Sequence, residues 1–273
     1  MRTIATDSDA CRYIIELIYE HCRIKLHDGK EALIKARLGK LMRRHGIPTL
    51  GEYVDWLRRG ADEDEFTRVV DALTTNFTNF LREEDHFQFL VRQALPQIVR
   101  RDQKKFSIWS AASSSGEEPY TIAMFLAEHY PLASGWDWRI TGSDISTKVL
   151  AVARRGVYAE ERVKSIPREW LRKHFQKGTG KWDGQVRVKP ALAQRVSFRQ
   201  INLIENYDHT HPFEVIFCRN VMIYFDRQTQ EQMVSRLCRS LAPRGYLFIG
   251  HSESLNGLKV PLHCLKPSVY QRL

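Results

Sequence analysis

Between residues 31 and 45 apolar side chains recur at helical spacing: Leu33, Ile34, Leu38, Leu41 and Met42 share one face, and Gly46-Ile47-Pro48 supplies a stop. Further helices fit 50–59 and 63–73, the second with acidic residues in its first turn, and no convincing strand interrupts residues 1 to about 75. From Phe106 the rhythm changes. Short apolar runs at 106–111, 138–141, 215–218 and 246–250 end in small or polar residues and alternate with helical stretches at 118–128, 147–155 and 229–241. That alternation predicts βαβ units, hence an α/β fold with a parallel sheet covered by helices on both faces. Residues 175–198 are Gly-rich and Val-alternating and read as a small antiparallel insert. There is no internal repeat.

At 273 residues the chain is long enough for one large domain or two modest ones, and 43% hydrophobic residues are enough to build a core and argue against disorder. Lys and Arg total 42 against 32 Asp and Glu, a net charge of +10, which suggests an acidic partner without choosing among nucleic acid, an anionic membrane surface and an acidic protein. The most apolar N-terminal stretch, 13–19, is interrupted by Glu16 and does not read as a signal peptide, and no run approaches a membrane span. The five cysteines are odd in number and form no C-x-x-C pair, which argues against a zinc site or a disulfide framework and for free thiols in a reducing cytoplasm.

The run IWSAASSSGEEPYTIAMFL (108–126) passes from a strand through a small-residue loop into a helix. In open α/β sheets a nucleotide-like ligand sits at this turn, where small side chains let backbone N–H groups approach it. Only Gly116 of a G-x-G-x-x-G pattern is present, so a merely structural tight turn is the competing reading. Glu117-Glu118-Pro119 places acid where a dinucleotide pyrophosphate would lie, which disfavours NAD and favours a cationic ligand. Asp144 ends the next strand, where a carboxylate commonly takes ribose hydroxyls, and its alternative role is to cap the following helix, in competition with Ser146. A ligand with ribose, an amino group and a sulfonium but no phosphate fits this charge pattern, which describes S-adenosylmethionine.

Downstream, FEVIFCRNVMIYFD (213–226) is a buried strand leading into a polar loop. Amino-directed methyltransferases carry an Asn/Asp-Pro-Pro-aromatic loop at this point, whereas this chain has Cys218-Arg219-Asn220-Val221. A cation in place of that acceptor loop suggests an anionic or oxygen acceptor rather than an amine or a base. Cys218 itself reads as a small buried apolar residue.

These stretches closely resemble the chemotaxis receptor methyltransferase (CheR) family. The resemblance rests on TTNFTNFLREEDHF (74–87), WSAASSSGEEPYTIAM (109–124), SDIS (143–146), INLIE (201–205), FCRNVMIYFD (217–226) and GYLFIGHSESL (245–255), and it covers nearly the whole chain. Ala112 and Ser113 stand where relatives often have Gly and Cys, and Leu81 replaces a common Phe. The family's members are S-adenosylmethionine-dependent enzymes that methylate glutamate side chains on the cytoplasmic part of chemoreceptors. The resemblance implies a small all-helical N-terminal domain (1–75), a linker contributing to the cofactor site (76–90), and a doubly wound, Rossmann-like methyltransferase domain (91–273) with a β-subdomain inserted at about 166–198. Residues 268–273 would supply a terminal antiparallel strand.

The same resemblance implies which residues act. From the linker and the first turn, Asn76, Thr78, Arg82 and Glu117 would contact S-adenosylmethionine and its product S-adenosylhomocysteine. Further along, Asp144, Asn202, Leu203, Arg219 and Asn220 would do the same, while Arg82 and Tyr224 would lie nearest the reacting centre. No metal is implied. A glutamate carboxylate is already ionised at pH 7, so its methylation needs no general base, and the lack of an evident Cys/His or Ser/His/Asp set is expected. Gly178, Gly180, Gly184, Val186, Arg187 and Val188 belong to the β-subdomain, which in some members binds a C-terminal receptor pentapeptide at a sheet edge, although a hairpin that only closes the fold is the alternative. Arg37, Lys40 and Arg44 fall on one stripe of the 31–45 helix, either a solvated face or a docking surface for an acidic receptor segment. A cytoplasmic monomer recruited to membrane-bound receptor arrays, with no nucleic-acid partner and no membrane insertion, completes the expectation. Two other functions compete with it: a cofactor-binding scaffold without catalysis, and a nucleic-acid methyltransferase.

Overall fold

A computed structural model of the protein describes residues 6–26, 29, 31–60, 62–74, 76–99, 104–207, 209 and 211–273. Among them, helices α1 (Asp7–Cys22), α2 (Glu31–Arg44), α3 (Leu50–Arg58) and α4 (Glu63–Leu73) form the N-terminal module. Side-chain caps start three of them: Thr6 accepts from Asp9 N, Thr49 from Glu52 N and Asp62 from Glu65 N. Ile14, Ile18, Ile34, Leu38, Tyr53 and Val54 are buried where these helices meet. Within that core Glu65 is buried yet satisfied, since Tyr53 Oη and Arg68 Nη1 each donate to it at 2.7 Å.

Residues 76–84 run over the top of the second domain, and helix α5 (Asp85–Phe89) continues through one π-helical turn at Leu90–Ala94 into α6 (Leu95–Val99). Phe80 and Phe87 are fully buried in the α/β core, so the segment read as a linker is packed structure.

The main sheet has the order β6-β2-β1-β7-β8-β10-β9, in which β1 (Lys105–Ala111), β2 (Asp137–Asp144), β6 (Val196–Gln200), β7 (Phe213–Cys218) and β8 (Leu241–Ile249) run parallel. The expected terminal strand is β10 (Val269–Arg272), antiparallel to both β8 and β9 (Leu262–Lys266). Helices α7 (Glu117–His129), α8 (Thr147–Arg155) and, after the insert, α11 (Arg227–Ser240) connect the strands. Alternate residues of β7 feed opposite cores: Val215 and Phe217 pack with Phe87 and Phe125, while Ile216 and Cys218 pack with Trp109 and Met233. The fold is therefore doubly wound, as the alternating pattern predicts.

The insert differs from expectation at its boundaries. Its antiparallel sheet, of order β3-β5-β4, uses β3 (Val157–Ala159), β4 (Phe175–Lys177) and β5 (Gln185–Val188), with α9 (Arg168–His174) inside it and α10 (Pro190–Ala193) after it. It thus begins before residue 166, and Val196–Phe198, expected within it, belong instead to β6 (Val196–Gln200), the parallel edge of the main sheet, paired with β2. An edge strand is covered on one side only, so VSFRQ lacks the continuous apolar run that marks a buried parallel strand.

The helical module closes over the carboxyl ends of the strands through specific polar contacts. Tyr19 Oη donates to Asp226 Oδ2 at 2.7 Å, Lys25 N donates to the Tyr224 carbonyl at 2.9 Å, and Asn202 Nδ2 donates to the His21 carbonyl at 2.8 Å. The Tyr19 hydrogen bond, with the N–H of Thr229, holds the Asp226 carboxyl down at about 2. No described helix is long and apolar enough to cross a membrane.

Candidate active site

The turn after β1 is held open by its backbone. Ala112, Ser114 and Gly116 have φ of +61°, +49° and +96°, so left-handed residues alternate along the turn. At Gly116 a Cβ would lie 2.9 Å from the Ala153 Cβ and 3.0 Å from Tyr158 Oη, so glycine is required there for space as well as for φ. Ala112 takes the same left-handed conformation at the cost of local strain that a glycine there would avoid. The turn is pinned from β2: Ser113 N donates to the Ser143 carbonyl at 2.7 Å and Ser114 N to Asp144 Oδ2 at 2.8 Å.

Asp144 sits at the centre of this arrangement. It is 6% exposed and also accepts from Ser146 N at 3.0 Å. Ser146, not Asp144, caps α8, which settles the competition between them. Desolvation pushes the Asp144 carboxyl up to about 6, with the Ser146 and Ser114 amides opposing it.

Asp144 opens into a cleft of about 1240 Å³, mouth included, between the helical module and the strand ends. Asn76, Thr78 and Arg82 enter it from the linker, Asn202 and Leu203 from the loop after β6, and Arg219, Asn220 and Tyr224 from the loop after β7. These expected site residues, scattered over 149 positions of sequence between Asn76 and Tyr224, thus share one cavity.

Glu117 does not join them. Its side chain is fully buried behind the turn, where it accepts from Ser115 Oγ at 2.7 Å and pairs with Arg162, and burial pushes its carboxyl up against those partners. Its neighbour Glu118 reaches the cleft instead, hydrogen-bonded by Ser110 Oγ at 2.6 Å and Arg219 Nη1 at 3.0 Å. One residue along a helix rotates the side chain by about 100°, and that rotation decides which carboxylate faces the cleft.

Arg37 also departs from expectation. Its Nη1 donates to the carbonyls of Leu73 and Thr74 at 2.7 and 3.3 Å, so it satisfies the C-terminal end of α4 and lines the cleft rather than facing a partner. Lys40 and Arg44 are exposed. In the insert, Val186 and Val188 are buried in the core, Arg187 is exposed, and β5 is the central strand, so peptide addition would have to occur at β3 or β4. Gly180 and Gly184 make left-handed turns, and a shallow groove beside Gly178 and Arg187 carries Trp182, which is 54% exposed.

Two kinds of site residue are absent from the sequence reading. Ile24, Lys25 and Leu26, the chain leaving α1, line the cleft only because the module folds back onto the Tyr224 loop. Glu253 shapes that loop from outside: its carboxylate accepts from Gly250 N, Met222 N and Asn220 N at 2.7, 2.8 and 2.9 Å. Asn220 has φ +58° there. The matched stretch GYLFIGHSESL contains Glu253, but composition gives no hint of its three backbone partners.

Fold and cleft together define a class, a methyltransferase-type α/β domain whose ligand cleft is roofed by a helical module. Comparison with known proteins makes this specific. Residues 9–74 match the CheR methyltransferase all-alpha domain, and residues 76–270 match the CheR methyltransferase SAM binding domain. The chain is 42% identical over 248 residues to a chemotaxis protein methyltransferase of Salmonella typhimurium, covering 90% of this chain and 84% of that one. It is 41% identical to the protein of that name from Escherichia coli, covering 91% and 85%, and 35% identical to that from Borreliella burgdorferi, covering 97% and 94%. The chain belongs to the CheR methyltransferase family.

The SAM binding domain makes S-adenosylmethionine the cofactor, and the cleft fits it. Asp144 offers an acceptor of the kind a ribose needs, and Ser113 Oγ lines the cleft as a buried hydroxyl with no hydrogen-bond partner among the described residues. Because ionised Asp144 is the stronger acceptor, affinity for S-adenosylhomocysteine is expected to be flat above pH 7. It should fall roughly tenfold by pH 5 as the carboxyl titrates near 6. Asp144→Asn should bind more weakly throughout and lose most of this pH dependence. Calorimetry from pH 5 to 8 checks both, and an unchanged profile in the variant would remove Asp144 from the site.

Proposed function

We propose that the protein transfers the methyl group of S-adenosylmethionine to glutamate side-chain carboxylates of chemoreceptors, forming methyl esters. One observation carries the reading: Arg82, Asn220 and Tyr224 line the same cleft as Asp144, and no Pro-Pro-aromatic acceptor loop is present. The relatives' name, chemotaxis protein methyltransferase, supports the receptor as substrate. When bound, the cofactor supplies an electrophilic methyl group on a sulfonium.

The chain's own residues would then do three things. Asp144 and the turn at 112–116 hold the ligand against the strand ends. Arg82, whose Nη1 donates to the Phe77 carbonyl at 3.1 Å and whose guanidinium lies 5.9 Å from the Phe77 ring, is held at the mouth with charge to orient an incoming carboxylate. The helical module lays Ile24 and Leu26 over the cleft, apolar cover that would help exclude water. An ionised carboxylate needs no general base, so alignment and desolvation are what the site must provide, and neither step calls for a metal. Lys40 and Arg44 form a reduced basic surface for an acidic receptor segment, and the groove beside Trp182 is the place for a receptor C-terminal peptide.

Incubation of the protein with labelled S-adenosylmethionine and receptor-containing membranes is expected to give base-labile methyl ester on the receptor. Arg82→Ala should lower turnover by at least tenfold with little change in melting temperature. Saturable cofactor binding with no ester would favour a scaffold, label in nucleic acid would favour the third reading, and full turnover by Arg82→Ala would remove that residue from the chemistry. Exposed charge contacts contribute about 0.2–1 kcal/mol each and fade with salt. Reversing Lys40 and Arg44 to Glu should therefore raise the KM for receptor several-fold and flatten its salt dependence, leaving cofactor affinity alone. Superimposed curves against ionic strength would make the stripe a solvated face.

A further inference from the structure

Two non-glycine residues in the linker, Leu81 and Glu83, adopt left-handed backbone at φ +61° and +57°, and they bracket Arg82. Such conformations persist only where surrounding contacts over-determine them. The contacts here converge on the Glu83 carboxylate. Its Oε2 accepts from Arg219 Nε at 3.3 Å and His251 N at 3.2 Å, and lies 2.9 Å from Arg219 Nη2 in an ion pair. Its Oε1 accepts from Asn220 Nδ2 at 3.3 Å and lies 4.0 Å from Arg82 Nε. One carboxylate thus joins the linker to the loop after β7 and the loop after β8.

Arg219 completes the connection. Its side chain is 2% exposed and is held between Glu83 and Glu118, while its Nη2 also donates to the Arg82 carbonyl. Two carboxylates surround one guanidinium, so Arg219 has no charge to spare for an anionic ligand. Burial alone would raise the Glu83 carboxyl, yet the Arg219 charge and hydrogen bonds hold it below its usual range, consistent with an ionised hub. Glu83, His86 and His251 also place donor atoms within 4.8 Å of one another, the arrangement of a cation site. Both Glu83 oxygens are already engaged, however, and Arg219 supplies the positive charge there.

We propose that Glu83 is a positioning residue for methyl transfer: by gripping Arg219 and Asn220 it fixes the linker turn that presents Arg82 to the acceptor. The proposal rests on the function given above and adds a residue outside the expected site set. Glutamine at this position keeps the shape but replaces one acceptor oxygen with a donor that would face the guanidinium of Arg219 or the amide of Asn220.

The test is a double-mutant cycle on ester formation at saturating cofactor and receptor, using the full chain and variants of confirmed melting temperature. Glu83→Gln is expected to lower kcat at least tenfold while changing the dissociation constant for S-adenosylhomocysteine less than threefold, and Glu83→Asp should recover part of the loss. Combined with Arg82→Ala, Glu83→Gln should cost almost nothing more, because it acts through Arg82. A Glu83→Gln enzyme with wild-type kcat, or fully additive losses, would overturn the proposal. The NMR signal of Arg219 Nε–H needs no acceptor: it should be protected from solvent exchange in the wild type and lose protection in Glu83→Gln. Equal protection in both would overturn the proposal even if the wild type formed no ester, a result that would itself refute only the methyl-transfer reading.

Discussion

A carboxylate taken out of water must be met by donors, and the walls of this cleft are built by meeting that demand. Asp144 is met by the amides of Ser114 and Ser146, Glu253 by those of Gly250, Asn220 and Met222, and Glu83 with Glu118 by the guanidinium of Arg219. Each pairing fixes a turn that has left-handed residues and would otherwise relax: Ala112 and Ser114 beside Asp144, Asn220 beside Glu253, and Leu81 with Glu83 itself. Burial pushes the carboxyls of Asp144, Glu118 and Glu253 upward in spite of these donors. Their ionised forms are thus harder to hold here than in water, and a cationic cofactor is the kind of ligand whose charge would favour them.

The helical module depends on the same loops. Asp226 caps α11 through Thr229 N and receives the Tyr19 hydroxyl from α1, while Lys25 N reaches the Tyr224 carbonyl. The cleft's roof is thus tied to the loop that carries Tyr224, so movement of the module would move that side chain.

What the sequence made legible follows its physics. Helices α2 and α8 and the central strands β1 and β7 are visible because periodicity or continuous apolar character reports burial directly. The edge strand β6 and the three-residue β3 are hidden because half-covered or very short strands leave no such pattern. The cofactor set emerges from matched stretches, yet adjacent Glu117 and Glu118 cannot be told apart without the phase of α7. Arg37 reads as a surface charge because its partners, the carbonyls of Leu73 and Thr74, belong to another helix. Lys25 and Glu253 shape the Tyr224 loop through main-chain hydrogen bonds, a kind of contact that side-chain identity does not announce.

The central claim is that buried carboxylates preset one cleft for S-adenosylmethionine, with Arg82 and Tyr224 at the acceptor side. A crystal structure of the protein with S-adenosylhomocysteine tests it most directly. The account predicts the ribose hydroxyls on Asp144, the sulfur facing Arg82 and Tyr224, and the Glu83–Arg219 pair unchanged. A ligand bound elsewhere, or bound only after the turns at 112–116 and 219–220 rearrange, would contradict it.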